Sequence, residues 1–191
     1  MPSYLFRWIV ALLVLCVPAL ACAQANFPTR PVRIISPYAP GGSTSVIARV
    51  IGQKLTEAWG QQIIIDNRPG GNTIIGADTL AKASPDGYSY ILTTNTHVIN
   101  PSLFAKLPYD PIKDFAPVGM VYTSEFVLVI YPGLPAQNLQ ELIALARAKP
   151  GQLNYATTGA GGSSHLANVL LGMQTGVQIQ HIPYKGAGPA L

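Results

Sequence analysis

Two glycine-rich loops carry the residues whose types and spacing could do chemistry. The first covers residues 39–45 with the sequence Ala-Pro-Gly-Gly-Ser-Thr-Ser, and the second covers 157–164 with Thr-Thr-Gly-Ala-Gly-Gly-Ser-Ser. Each lies between a predicted strand and a predicted helix, so its free backbone N–H groups stand at the positive end of a helix dipole. Such a site favours carboxylate or phosphate oxygens, and nearby hydroxyls add hydrogen bonds. The structural alternative is that each loop is a tight strand-to-helix turn.

Other chemistries fit these residues less well. The second loop lacks the Gly-Lys-Ser/Thr of a P-loop, and Ser164 stands where a dinucleotide-binding fingerprint needs its third glycine. Ser163, Ser164 and His165 suggest a serine hydrolase, but His165 occupies the last glycine position of the nucleophile-elbow motif. His97, His165 and His181 lack metal-ligand spacing, so we expect no metal and no cofactor. A serine esterase that uses Ser163 or Ser164 is kept as the alternative function.

The composition is that of a turn-rich globular protein. Of the 191 residues, 49% are hydrophobic and 10% are charged, which supplies a core and argues against a disordered chain. The net charge of +4 is scattered rather than gathered into a basic stripe. We therefore expect no nucleic-acid partner.

The N-terminus has the pattern of a secretory signal peptide. Arg7 precedes an apolar run over residues 8–20, and small residues follow up to Ala25. A basic start, a short apolar core and an A-x-A end predict a leader over residues 1–25, cleaved after Ala25 or after Ala23. The run is short for a transmembrane helix, which needs about 20 residues.

Both cysteines lie inside this predicted leader, at Cys16 and Cys22. The mature chain is therefore expected to hold no disulfide, which together with export favours a bacterial periplasm. Lipid anchoring at Cys22 is not expected, because Ala19 replaces the leucine usual three positions earlier in lipoprotein signals.

The elements that position the loops alternate between strand and helix, which predicts an α/β fold with a largely parallel sheet. The first long helix is predicted over residues 43–59, and a later one starts at the capping-box-like Asn138. Residues 100–117 are predicted to be irregular surface. The apolar face of the first helix is predicted to be Val46, Ile47, Val50, Ile51, Leu55 and Ala58. Strands are predicted over 32–35, 63–65, 90–94, 126–131, 153–157 and 177–184, and further helices over 73–83 and 164–175.

A set of short motifs in a fixed order resembles the Bug-type solute-binding proteins of tripartite tricarboxylate transporters. The resemblance covers essentially the whole chain after the leader. It is carried by Pro31-Val-Arg-Ile-Ile-Ser-Pro-Tyr-Ala-Pro-Gly-Gly42, Asp66-Asn-Arg-Pro-Gly70, Pro85-Asp-Gly-Tyr88, Leu107-Pro-Tyr-Asp110, Leu153-Asn-Tyr-Ala156 and His181-Ile-Pro-Tyr-Lys-Gly186.

The resemblance implies an α/β fold like that of type II periplasmic binding proteins, with a cleft between two lobes. Lobe one would cover residues 26–124 and lobe two 125–191. It further implies a periplasmic, monomeric and non-catalytic protein that captures a small organic di- or tricarboxylate for membrane permease subunits. Many family members carry Asp where this chain has Ser45, which favours plain carboxylates over ligands that bear an amino group.

The loop argument and the resemblance together predict the ligand-binding residues. Family members are substantially longer, so we expect lobe two to be incomplete, and a fragment that no longer binds ligand is a further alternative. The predicted ligand-binding residues are Tyr38, Ala39, Pro40, Gly41, Gly42, Ser43, Thr44, Ser45, Asn95, His97, Thr158, Gly159, Ala160, Gly161, Ser163 and His165.

Overall fold

The computed structural model describes residues 27–191, and the predicted leader with its two cysteines lies outside them. The described residues contain no helix that is both long and apolar enough to cross a lipid bilayer. They form two parallel sheets with helices packed on them. In chain order the elements are β1 (Val32–Ser36), α1 (Ser43–Trp59), β2 (Ile63–Asn67), a 3₁₀ turn (Gly71–Thr73), α2 (Ile74–Ala81), β3 (Ser89–Ile91), α3 (Thr96–Leu103), α4 (Leu139–Ala148), β4 (Asn154–Thr157), α5 (Ser163–Thr175), β5 (Gln180–Pro183) and α6 (Ala187–Ala190).

Sheet A, in the order β2-β1-β3, forms the better-packed half of the molecule. In its parallel register Ile34 of β1 lies beside Ile65 of β2 and Tyr90 of β3. The central strand is almost completely buried, with Val32 at 1% and Ile35 at 0% exposure. Apart from Arg33 the strand is apolar over residues 32–35, as a parallel strand covered on both faces requires, and the predicted strand over 32–35 is confirmed.

Helix α1 has the predicted bounds, but its predicted buried face is only partly right. Leu55 packs against the core of sheet A, and Ile47 and Ile51 are half-buried. Val46 and Val50 are about half exposed. A Cβ added to Gly52 would lie 3.2 Å from the side chains of Ile63 and Ile65, so the helix approaches the sheet where its residues are small. The close approach of α1 to β2 at Gly52 therefore decides which face of the helix is buried, more than the hydrophobicity of its side chains. The buried residues of α1 are Thr44, Ser45, Ala48 and Gly52.

Sheet B pairs β4 with β5 in parallel, with Tyr155 beside His181. The helix before it, α4, begins with the predicted capping box. The Asn138 side chain accepts a hydrogen bond from the Glu141 N–H at 3.0 Å, and a Glu141 carboxylate oxygen accepts one from the Gln137 N–H at 2.8 Å. These contacts satisfy backbone donors at the start of α4.

The structure contradicts two further secondary-structure predictions. Residues 126–131 were expected to form a strand, but the described chain gives them no partner, and Val127 and Tyr131 are about 80% exposed. An extended apolar run becomes a strand only when another strand offers its backbone groups. Residues 100–117 were expected to be irregular, but α3 continues to Leu103, and Asn100 is fully buried within it.

Candidate functional site

A cavity of about 180 Å³ opens where the loops of sheet A meet those of sheet B. Its lining residues follow the carboxyl ends of β1, β2, β4 and β5. Parallel α/β sheets characteristically bind ligands at this edge. The cavity is lined by Pro37, Tyr38, Gly70, Gly71, Asn72, Thr73, Thr158, Gly159, Ala160, Pro183, Tyr184 and Lys185.

Four of the predicted ligand-binding residues line this cavity: Tyr38, Thr158, Gly159 and Ala160. Tyr38 is buried, and its hydroxyl lies 2.6 Å from the Thr94 hydroxyl. This hydrogen bond ties the end of β1 to the segment after β3. The aromatic ring is thereby held as a fixed wall of the cavity.

The rest of the first loop packs against the C-terminal segment of the chain. The Ala39 N–H donates a hydrogen bond to the Lys185 carbonyl at 2.9 Å. A Cβ added to Gly188 would lie 2.9 Å from the Pro40 carbonyl oxygen, and one added to Gly42 would lie 3.6 Å from the Ala187 nitrogen. Gly42 is therefore buried against α6, while Pro40 and Gly41 are exposed, and none of the three belongs to the cavity lining.

The three residues that open α1 differ in their surroundings. Ser43 is exposed, while the hydroxyl of the buried Thr44 lies 3.3 Å from the Tyr122 hydroxyl. Ser45 is completely buried, and its hydroxyl accepts a hydrogen bond from the Asn67 side chain at 3.2 Å. The structure therefore gives Ser45 a partner inside sheet A.

The helices that follow the two loops begin without side-chain caps. Gly42 precedes α1 and Gly162 precedes α5, and neither helix has an acidic residue in its first turn. Helix α4, in contrast, is capped by Asn138 and carries Glu141 in its first turn. The N-termini of α1 and α5 thus combine unneutralised positive dipole ends with backbone donors that no side chain satisfies.

The second loop is braced by its own side chains and by the start of α5. The Thr158 N–H donates to the Ser164 hydroxyl at 3.3 Å, and the Gly161 N–H donates to Nδ1 of His165 at 2.9 Å. His165 therefore contacts the loop backbone from outside the cavity lining.

Three contacts join this loop to residues of the sheet A half. The Ser163 hydroxyl donates a hydrogen bond to the Asn95 side chain. A Cβ added to Gly159 would lie 3.0 Å from Oδ1 of Asn72, and one added to Gly161 would overlap the Leu103 side chain. Asn95 is thus brought together with the second loop.

His97 lies in a different place from the one the sequence indicated. Its Nε2 is 3.0 Å from the Pro111 carbonyl oxygen, and its ring stacks on Tyr109 and meets Phe115 edge-on. These described contacts are all within residues 109–115. His97 holds that segment against α3 and is not brought to either glycine-rich loop.

The turn over residues 70–73 lines the cavity and was missed as a site element. Asn72 and Thr73 have φ angles of 52° and 73°, a left-handed conformation that is costly for a β-branched residue. Asn100 stabilises the turn, because its side-chain amide donates to the Asn72 carbonyl at 2.9 Å and to the Thr73 hydroxyl at 3.4 Å. The paired glycines at the end of β2 were the available signal, since that strand ends at the same sheet edge as β1.

The serine residues do not form a nucleophile–base pair among the described hydrogen bonds. The Ser163 hydroxyl bonds to Asn95, and that of Ser164 lies 3.1 Å from the Thr158 hydroxyl. Nδ1 of His165 is occupied by the Gly161 N–H. The geometry gives no support to an esterase at these residues.

Solved structures with high similarity have the same fold. An R. palustris protein solved with adipate has a TM-score of 0.77 and 36% identity, over 86% of this chain and 55% of that one. MatC from Rhodopseudomonas palustris with bound malate has a TM-score of 0.71 and 31% identity, over 86% and 56%. Periplasmic binding protein BugD has a TM-score of 0.75 and 31% identity, over 86% and 55%. The expected periplasmic-binding-protein fold is confirmed.

Sequence relatives agree with the structural ones. BugT of Bordetella pertussis is 40% identical over 87% of this chain and 52% of its own length. A UPF0065 protein of Pseudomonas sp. strain P51, from the tcbD–tcbE intergenic region, is 38% identical over 86% and 49%. The chain thus spans about half the length of the curated relatives it matches. Residues 47–191 match the family model described as the tripartite tricarboxylate transporter family receptor, and the chain belongs to that family.

Proposed function

We propose that this chain is part of a periplasmic receptor that captures a small organic di- or tricarboxylate and delivers it to the permease subunits of a tripartite transporter. The family membership supports the receptor role. Two structural neighbours, solved with adipate and with malate, support the class of ligand. We further propose that residues 1–25 are a cleaved leader, and that the mature protein is a monomer and not an enzyme.

The observation that carries the proposal is the cavity at the carboxyl ends of four parallel strands. Its volume of about 180 Å³ is below the roughly 300–1,000 Å³ of pockets for drug-sized ligands, so it suits a small ligand. Lys185 is the charged residue among those that line it, so the lining offers polar groups and one cation but no carboxylate. Such a lining favours a small anion.

The uncapped N-termini of α1 and α5 support an anionic ligand independently of the cavity lining. Their N–H donors lie in the two loops that follow β1 and β4, and no acidic side chain competes for them. We propose that residues 26–124 and 125–191 form the two lobes of the cleft. The predicted loop residues that do not line the cavity would then act through ordered water or on closure of the lobes.

Thermal unfolding of the chain with malate, adipate and citrate tests the proposed class of ligand. A ligand that binds only the native state and is present at a hundredfold excess over Kd adds about 2.7 kcal/mol. We expect at least one of the three to raise Tm, while adipamide, the uncharged analogue of adipate, should not. Equal shifts with adipate and adipamide would contradict recognition of the carboxylates. Labelling of Ser163 or Ser164 by a serine-directed phosphonate would instead favour the esterase.

A pair of matched variants tests whether the described cavity is the site. Ala160 and Ala167 are both exposed alanines in the second loop and α5, but only Ala160 belongs to the cavity lining. Ala160→Leu fills part of the cavity and should weaken carboxylate binding at least tenfold. Ala167→Leu should leave it unchanged. Equal affinities for the two variants would place the site elsewhere.

A further inference from the structure

Two histidines that do not line the cavity, His165 and His181, form hydrogen bonds with residues of the second glycine-rich loop. Nδ1 of His165 accepts a hydrogen bond from the Gly161 N–H at 2.9 Å. Nε2 of His181 lies 2.6 Å from the Thr157 hydroxyl, which also lies 3.1 Å from the Gly159 carbonyl and can donate to it. The glycines on both sides of Ala160, which lines the cavity, are therefore each linked to an imidazole ring.

The two imidazole rings stack directly on each other. Their centroids are 4.0 Å apart and their planes differ by 18°. Tyr155 lies alongside both rings, with centroid distances of 5.0 Å to His181 and 6.4 Å to His165, and is the further titratable group in contact with the pair among the described residues. Burial raises the pKa of Tyr155, so its ring stays neutral. Burial and the neighbouring His165 both lower the pKa of His181.

The hydrogen bond from Gly161 fixes the tautomer of the neutral His165 ring. Because Nδ1 accepts this bond, the neutral ring carries its proton on Nε2. A second proton would have to enter at Nδ1, where it would face the Gly161 N–H, so two donors would meet and the bond would be lost. The stacking distance also means that a proton on either ring disfavours a proton on the other.

We propose that His165 and His181 are positioning residues that hold residues 158–162 in the ligand-binding conformation while both rings are neutral, so that acidification releases the loop and weakens carboxylate binding. The binding part of this proposal rests on the proposed function, and the positioning part does not. The histidines act through the Gly159 and Gly161 backbone and not by touching the ligand.

Replacing His165 by residues that differ only in acceptor and charge tests the positioning role. Asn places a carbonyl oxygen where Nδ1 stands but does not titrate, and Leu removes the acceptor. Wild type should lose about tenfold in malate affinity between pH 7.5 and pH 5.5, the range in which histidine changes its charge. His165→Asn should bind like wild type at pH 7.5 and lose much less. His165→Leu should bind weakly at both pH values.

Two further variants of the full chain separate the pair from other histidines. His181→Gln keeps a polar group near Thr157 and removes one of the two stacked imidazoles, so the loss of malate affinity between pH 7.5 and pH 5.5 should be smaller than in wild type. His97→Gln alters the third histidine, which packs on Tyr109 and Phe115, and the loss should stay as large as in wild type. An undiminished loss in His181→Gln, or an abolished loss in His97→Gln, would overturn the assignment to the stacked pair.

Hydrogen exchange of the Gly161 amide, measured by NMR without ligand, separates this proposal from the proposed function. Loss of protection on acidification from pH 7.5 to pH 5.5 in wild type but not in His165→Asn supports positioning, even if malate binds at no pH and the proposed ligand class fails. Protection that is independent of pH in wild type overturns the positioning role. Malate affinities with the same pH dependence in wild type and His165→Asn overturn it too, because ionisation of malate cancels in that comparison.

Discussion

Gly161 stands at the point where the second glycine-rich loop meets helix α3, and its replacement by alanine tests the contact between the two halves of the site. Its φ is 76°, in the left-handed region. A Cβ there would overlap Cδ1 of Leu103, since ordinary carbon contacts are about 3.5–4.0 Å. Gly161→Ala therefore combines backbone strain with a steric conflict between sheet B and sheet A residues.

A control variant separates the two contributions to the stability loss of Gly161→Ala, backbone strain and steric conflict. Gly176 ends α5 with φ of 70°, and a Cβ there meets no atom within 4 Å. Gly176→Ala should lose only the backbone term of about 1–2 kcal/mol. Gly161→Ala should lose that amount and about 0.5–1.5 kcal/mol more, because Leu103 must leave its rotamer. Leu103 is 46% exposed, so its side chain has room to move and the conflict does not prevent folding.

Thermal unfolding and malate titration of the two variants together form the assay. For a chain of this size each kcal/mol lowers Tm by about 2–4 °C, so Gly176→Ala should lose about 2–8 °C and Gly161→Ala more. Gly161→Ala should also bind malate more weakly, because the loop cannot approach Leu103 as closely. In a Leu103→Ala background the excess over Gly176→Ala should largely disappear. Equal losses in the two single variants, or an excess that survives Leu103→Ala, would refute the reasoning.

Three further predictions concern stability. Asn100→Leu removes the two hydrogen bonds donated to the turn before α2 and should lower the free energy of unfolding in urea by about 2–4 kcal/mol. A loss below about 1 kcal/mol would mean that the turn is stable without Asn100. Asn138→Ala removes the cap that accepts a hydrogen bond from the Glu141 N–H and should lower the stability of the fold by about 1 kcal/mol, measured by thermal melting. An unchanged Tm would mean that water replaces the cap. Because the folded pKa of His181 is lowered, its neutral form contributes stability above about pH 6.5 that is lost as pH falls further; a urea midpoint that rises on acidification from pH 7.5 to 5.5 would contradict this sign.

The parts of the fold that followed from sequence are those set by local chemistry. The helix over 43–59 starts after paired glycines and ends at Gly60, and the cap at Asn138 is made within four residues. Such signals act over one turn and need no tertiary partner. The class of the fold followed for the same reason, since alternating strands and helices have few ways to pack.

Errors occurred where a distant part of the chain decides the outcome. The buried face of α1 depends on how closely the helix approaches β2, and Gly52 allows an approach that a face of valines would prevent. The apolar run over 126–131 satisfies every local rule for a strand and yet stays unpaired among the described residues. His97 is directed away from the loops by the ring contacts of Tyr109 and Phe115, which lie more than ten residues further along.

The site itself shows the same division between local and distant causes. Both glycine-rich loops were found from sequence, because glycine followed by a helix start is a local signal. The turn at 70–73 escaped notice because what makes it part of the site is Asn100, some 28 residues away, whose buried amide holds Asn72 and Thr73 in the left-handed region. The left-handed conformation of Thr73 is strained, and the buried Asn100 side chain maintains it beside the cavity. Relief of that strain in Asn100→Leu would therefore change the shape of the cavity wall as well as the stability, so malate affinity and unfolding free energy should fall together in this variant.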